Sequence, residues 1–218
     1  MTLRILYDDN HLLAVAKPAG VPSVPDESGD PSLLDEAKAW VKERYEKPGA
    51  VFLGVVHRLD RPVSGVTLFA RTSKAASRLS EAFRQRDVRK VYLALGHGAP
   101  ARRSGVLVQW LAKDERSRRT QVVTEGRGKR SETVWRARWT RDGVTCFEFE
   151  PKTGRPHQLR VAARSLGCPL LGDLKYGAPT PLDDRSIALH AERLKFEHPV
   201  KKEPIELVCE PPSRAPWR

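Results

Sequence analysis

The stretch VVHRLDRPVSG, residues 55–65, holds one carboxylate, Asp60, between two arginines, Arg58 and Arg61. It follows the apolar run Phe52-Leu53-Gly54-Val55-Val56, which reads as a buried strand, and precedes Val66–Ala70, which reads as another. A turn between strands needs no such charge pattern. A nearby guanidinium favours the ionised carboxylate and lowers its pKa. That keeps Asp60 available as a nucleophile at neutral pH rather than as a proton donor. For an isolated aspartate, an ion pair or a turn with Ser64 and Gly65 is the commoner use, so the rest of the chain must decide.

Working outward, residues 3–17 hold two apolar runs around Asp8-Asp9-Asn10, and Lys17-Pro18-Ala19-Gly20 makes a turn. Residues 21–32 read as a loop. Residues 33–45 carry Leu33, Leu34, Ala37, Trp40 and Val41 at helical spacing. Thr72 or Ser73 can cap a second helix with the stripe Ala75, Ala76, Leu79, Ala82 and Phe83. Residues 90–96 alternate, with Val91, Leu93 and Leu95 on one face and Tyr92 and Ala94 on the other. Thr133, Trp135, Ala137 and Trp139 alternate before an Asp142-Gly143 turn, and Val144–Glu150 returns as a hairpin partner. A third helix opens at Pro156, carries Leu159, Ala163 and Leu166, and stops at Gly167. Strands outnumber helices and hairpins outnumber strand–helix–strand units. The expected fold is α+β, one domain over residues 1–218 with a mostly antiparallel sheet.

Net charge is +12, from 39 Lys and Arg against 27 Asp and Glu. Residues 102–141 contribute two thirds of it, twelve basic side chains against four acidic ones. Such an excess favours a polyanionic partner, nucleic acid before an acidic membrane surface. No apolar stretch is long enough to span a membrane, and the N-terminus lacks a signal-peptide layout, so a cytoplasmic location is expected. Cys146, Cys168 and Cys209 are widely separated and suit a reducing compartment. No zinc or calcium spacing, Walker loop, dinucleotide fingerprint or serine-hydrolase elbow is present.

Two further residues stand out on their own chemistry. Arg160 lies about one turn into the third helix, beside its apolar stripe. His157 and Gln158 occupy the first turn, where amide donors and the helix dipole favour anions such as phosphate or the Asp60 carboxylate. Tyr92 shares its strand face with small Ala94, which leaves room for a ring to meet a base. Asp173, in LGDLKYG, is the best second acid for glycosidase-type chemistry, although its glycines also fit a plain turn.

HRLDRPVSG (57–65), KVYLALGHG (90–98), GRPHQLRVAARSLGCPLLGDLKYG (154–177) and ALHAERLKFEHP (188–199) occur in the order and spacing of the RluA-type pseudouridine synthases. The opening ILYDDNHLLAVAKPAGVPSVP (5–25) also resembles that family's first segment. The resemblance implies a mixed, largely antiparallel sheet and a cofactor-free isomerisation of uridine in RNA. It implies that Asp60 is the catalytic aspartate and that Arg58 enters the stack in place of the flipped base. Tyr92 then lies against the target ring, Arg160 is paired with the aspartate, and Leu189 lines the pocket. His57, Arg155 and His157, with Arg116, Arg118 and Arg119 of the basic segment, are expected to face RNA. The chain begins directly with the catalytic segment, which resembles short members that lack an S4-type domain and act on stem-loops of ribosomal or transfer RNA. A monomer is expected. Val63 stands where the family usually has Thr, and Ala162 where His is common.

The isomerisation breaks N1–C1′ and forms C5–C1′, so it is redox-neutral and adds no water. Asp60 attacks C6 of the uracil or C1′ of the ribose; the sequence leaves both open. Either route needs an ionised carboxylate in a dry pocket, and a paired guanidinium offsets the cost of burying it. A non-catalytic RNA-binding or chaperone module, or a base-removing hydrolase, is the alternative reading.

Overall fold

The computed structural model describes residues 3–114, 116–117 and 119–218. Its elements in chain order are β1 (Ile5–Asp8), β2 (Leu12–Lys17), α1 (Leu33–Arg44), β3 (Gly54–Val55), β4 (Ser64–Ala70), α2 (Ser73–Gln85), β5 (Arg89–His97), β6 (Ser104–Asp114), β7 (Arg119–Val123), β8 (Lys129–Arg141), β9 (Val144–Pro151), α3 (Gln158–Ser165), a 3₁₀ turn (Leu174–Tyr176), β10 (Leu189–Glu197) and β11 (Pro204–Val208). Helices flank antiparallel strand pairs, which is the α+β class expected. The chain packs as two compact units. The first comprises residues 1–89 and 191–210, the second residues 90–190 and 211–218.

In the first unit the strand order is β1-β2-β4-β10, with β3 on β4 and β11 on β10. Alternation along β2 and β4 sends side chains to two cores. Leu12, Ala14, Val66, Leu68 and Ala70 join Ala75 and Leu79 of α2 on one face. Leu13, Val15 and Phe69 join Leu33, Ala37 and Val41 of α1 on the other. Thr72 caps α2 through the Ala75 N–H, and Ser32 caps α1 in a reciprocal box with Asp35.

The run 52–56 departs from the expected buried strand. Only Gly54 and Val55 pair with β4, and Phe52 is 53 % exposed. Leu53 turns to the α1 core and Val56 to the α2 core, so the apolar residues serve two clusters rather than one strand face. Gly54 permits this, because a Cβ there would lie 2.7 Å from the Ala76 Cβ of α2.

The β1–β2 turn is tied to the β10–β11 turn through Asp9. One oxygen accepts the His11 and Leu12 N–H groups; the other accepts from Tyr7, His198 and Lys201. Burial pulls the Asp9 pKa upward. Bonds from the His11 N–H, the Lys201 ammonium, the Leu12 N–H and the Tyr7 hydroxyl outweigh it and hold the carboxyl well below the usual range. A carboxyl depressed in the folded state stabilises above its unfolded pKa, near 4, and loses that contribution as pH falls through the folded value. Asp9→Asn should cost about 2 kcal/mol at pH 7. It should also flatten the acid limb of a stability–pH curve between roughly pH 4 and pH 2, measured by urea unfolding; an unchanged limb would contradict this role.

In the second unit the order is β5-β9-β8-β6-β7. The β8–β9 hairpin turns at Asp142 and Gly143, both at positive φ (49° and 73°), as a two-residue turn of this hand requires. α3 packs on β7, β8 and β9. The described residues of the basic segment 102–141 form the β6–β7 hairpin, the lead into β8 and β8 itself. α3 starts two residues later than expected. Pro156 is in a turn, and His157 is the N-cap with φ 53°, in the left-handed region.

Candidate active site

Asp60 lies in the loop between β3 and β4. Its neighbours inside the loop are held, and its side chain is presented. Leu59 is buried, its carbonyl accepting from the Ser23 hydroxyl (2.7 Å) and its N–H donating back to it (3.2 Å). The Val63 N–H closes a turn onto the Asp60 carbonyl. Arg58 and Asp60 are both exposed on either side of Leu59. Asp60 is thus exposed in the chain by itself, while its chemistry calls for dry surroundings. Arg61, expected to help ionise Asp60, is engaged with the preceding loop: it pairs with Asp30, and its Nε donates to the Gly20 carbonyl. Gly65 is required where the loop enters β4. Its φ is +122°, and a Cβ would lie 2.3 Å from the Ala191 carbonyl oxygen of β10.

The cation behind this loop is Lys17, which reading the sequence placed only in a turn. It is 1 % exposed. Its Nζ donates to the carbonyls of Pro18 (2.9 Å), Arg61 (3.0 Å) and Val63 (2.7 Å). Three acceptors need three protons, which only the ammonium form supplies. Burial pushes the Lys17 pKa down to about 7; the Asp60 charge pulls it up and the Arg61 charge pushes it down. The signal was present in the sequence. Lys17 shares strand parity with Leu13 and Val15, both fully buried, so the period of two points it inward.

In the second unit, Tyr92 is half-buried at mid-β5 opposite Phe149 of β9. The sequence offered Ala94 as its small neighbour; the cross-strand neighbours are aromatic, with Phe147 and Phe149 stacked at 5.3 Å. Leu189 is buried at the start of β10. Arg160 is 7 % exposed rather than beside an apolar stripe, because α3 is buried on all sides from Gln158 to Ala163. Its Nε and Nη2 donate to the two oxygens of Asp173 at 2.8 and 2.6 Å. Its guanidinium carbon lies 4.9 Å from the centre of the Tyr176 ring. Asp173, the candidate second acid for a hydrolase, is thus one half of a buried ion pair. Asp60 and Arg160 belong to different units.

The residues expected to face RNA divide in the same way. His57 has a packing role: its Nε2 accepts the Leu68 N–H at 2.9 Å, and its ring stacks on Phe83 at 5.0 Å. His157 Nδ1 is 2.6 Å from the Tyr176 hydroxyl. Arg155 donates from Nε to the Arg130 carbonyl. Gln158, expected to offer amide donors at the helix start, is a buried staple. It accepts from Thr153 and the Arg155 N–H and donates to the Glu132 carbonyl and Thr133. Arg116 and Arg119 are exposed at the β6–β7 connection, and Arg118 lies outside the described residues. Val63 and Ala162, the two departures from the family pattern, are both buried. Among the described residues, no helix is long and apolar enough to cross a membrane.

Known proteins resemble this chain over most of its length. The sequence profile described as RNA pseudouridylate synthase matches residues 11–165. An uncharacterized RNA pseudouridine synthase of Zymomonas mobilis is 36 % identical over 204 residues, covering 93 % of this chain and 90 % of the relative. The dual-specificity RNA pseudouridine synthase RluA of Escherichia coli K12 is 37 % identical over 204 residues, covering 90 % and 88 %. Among solved structures, human RNA pseudouridylate synthase domain containing 4 superposes with a TM-score of 0.80 at 26 % identity, over 96 % of this chain and 89 % of that one. The chain belongs to the RNA pseudouridylate synthase family, isomerases that convert uridine in RNA to pseudouridine.

Proposed function

We propose that the chain isomerises specific uridines in folded ribosomal or transfer RNA, with Asp60 as nucleophile. The observation that carries this reading is the Asp60 loop: an exposed carboxylate whose flanking main chain is pinned by Ser23 and Lys17. Asp60 attacks C6 of the uracil or C1′ of the ribose; N1–C1′ breaks, the base turns, and C5–C1′ forms. The C5 hydrogen leaves as a proton and N1 gains one, so atoms and electrons balance with no cofactor. Tyr92 is assigned to the face of the uracil, and Arg160 to offsetting the charge of the carboxylate. Because Asp60 is exposed without RNA, the bound RNA supplies the exclusion of water that the chemistry needs. Both units are read as parts of one catalytic domain, monomeric and cytoplasmic.

The basic strands and turns of residues 102–141 suit RNA backbone, giving salt-dependent binding with little base readout. The RluA relatives are named as dual-specificity RNA pseudouridine synthases, which supports more than one RNA as substrate here; ribosomal and transfer RNA stem-loops are the class that the sequence resemblance implies. Extruding a stacked uridine costs a few kcal/mol, and the planar, charged Arg58 side chain suits the vacated place. The test is tritium release from RNA labelled at uracil C5, with pseudouridine mapping of the product. Wild-type protein should release tritium from a folded stem-loop. Arg58→Ala should lower kcat/KM there by about tenfold, while a short unstructured loop changes by less than about twofold. Binding without release would leave only an RNA-binding module, and equal losses on both RNAs would remove Arg58 from base replacement.

A further inference from the structure

The Arg160–Asp173 pair is an odd feature for stability alone. Arg160 is 7 % and Asp173 1 % exposed. Buried ion pairs are often replaceable by apolar residues without loss of stability, because desolvation opposes the Coulomb gain. A reason to keep one is that the guanidinium is needed elsewhere and must be held in one orientation.

The surroundings of Arg160 provide that hold. Asp173 receives two parallel N–H donors at 2.8 and 2.6 Å, a fork geometry that fixes rotation within the guanidinium plane. The Tyr176 ring, 4.9 Å from the guanidinium carbon, restrains its tilt. Each of these groups is itself fixed. The Asp173 N–H donates to the Leu170 carbonyl, and its carbonyl accepts from the Tyr176 and Ala178 N–H groups. Gly172 precedes it with φ +80°, and a Cβ there would lie 2.5 Å from the Ser186 carbonyl oxygen. Tyr176 is anchored at its far end, where the hydroxyl accepts the Thr120 N–H of β7 at 2.8 Å and lies 2.6 Å from His157 Nδ1. Burial raises the phenol pKa, so the hydroxyl keeps its proton at neutral pH. Thr120 follows Arg119 at the basic end of the hairpin, so one hydroxyl joins β7, the α3 N-cap and the ring beneath Arg160.

We propose that Asp173 and Tyr176 are positioning residues that aim Arg160, Asp173 through its two carboxylate bonds and Tyr176 through a ring whose hydroxyl is clamped by β7 and His157. This rests on the assignment of Arg160 to the reaction. Neither residue touches substrate; each acts through the guanidinium. A small misalignment of a charged group costs rate rather than binding. Asp173→Asn keeps the shape and removes one of two matched acceptors. Tyr176→Phe keeps the ring and removes the clamp.

The test is a kinetic cycle using C5-tritium release, with RNA affinity and thermal melting measured on the same preparations. Asp173→Asn should lower kcat by about 10–100-fold and Tyr176→Phe by about tenfold, each leaving the KM for RNA within about twofold. In an Arg160→Ala background neither change should lower kcat further, since the group they aim is gone. A merely structural contribution would persist in that background, and its appearance there overturns the proposal. Wild-type kcat in both single variants, with Arg160→Ala impaired, overturns the positioning role alone. Wild-type kcat in Arg160→Ala overturns the assignment of Arg160 and this proposal together. If Asp173→Asn does not fold, Tyr176→Phe carries the same cycle.

Discussion

Asp60→Asn should reduce C5-proton release by at least about 10⁴-fold, while RNA affinity stays within about twofold. The replacement is nearly isosteric and removes the anionic oxygen that the reaction needs. It should leave the loop in place, because main-chain bonds hold the loop on both sides of Asp60. The bonds are Ser23 to Leu59, Lys17 to the carbonyls of Arg61 and Val63, and Val63 to the Asp60 carbonyl. An unaltered melting temperature in the variant would show that the lost rate belongs to the carboxylate. Tritium release at the wild-type rate would remove Asp60 from the chemistry.

Lys17→Met should be the most damaging change outside the reacting groups. It leaves three main-chain carbonyls without their donor, two of them in the Asp60 loop. Breaking a buried charged network in this way costs about 3–5 kcal/mol, and the loosened loop should lower kcat by about 100-fold even well below the melting point. The pH dependence has a definite sign. The folded pKa of Lys17 is about 7, against about 10.4 for an unperturbed lysine. Between those values the unfolded chain binds the proton and the folded chain does not, so this group makes stability rise with pH across the window. Activity should move the other way above pH 7, since the neutral amine has one donor fewer for the loop and no charge to set against Asp60. The difference in unfolding free energy between wild type and Lys17→Met should therefore widen from pH 7 to pH 10. A difference constant over that range would show that Lys17 does not titrate there.

These two residues also mark what was legible in the chain itself. Asp60 was visible because its charged neighbours break an apolar pattern locally. Lys17 is less visible because KPAG reads as a turn, although its parity with Leu13 and Val15 points it inward. The helices α1 and α2, the alternation of β5 and the Asp142-Gly143 hairpin were all readable, since each depends on a repeat or a turn within a dozen residues. The run 52–56 reads as one buried strand yet serves two cores, because hydrophobicity says that residues are buried, not against which core.

By itself, then, the amino-acid order determined the α+β class, the family motifs and their spacing, and the basic excess of residues 102–141, because periodicity, turn chemistry and charge are properties of short segments. Tertiary structure alone decided that the buried arginine is gripped by Asp173. Arg160 pairs with Asp173 through a glycine-shaped loop, over a tyrosine held by β7. It also decided that Arg61 faces Asp30 while Lys17 stands behind Asp60. The physical reason is that a charge interacts over a few ångströms of space, and which groups come that close is settled by how separate strands and loops pack, not by their distance along the chain.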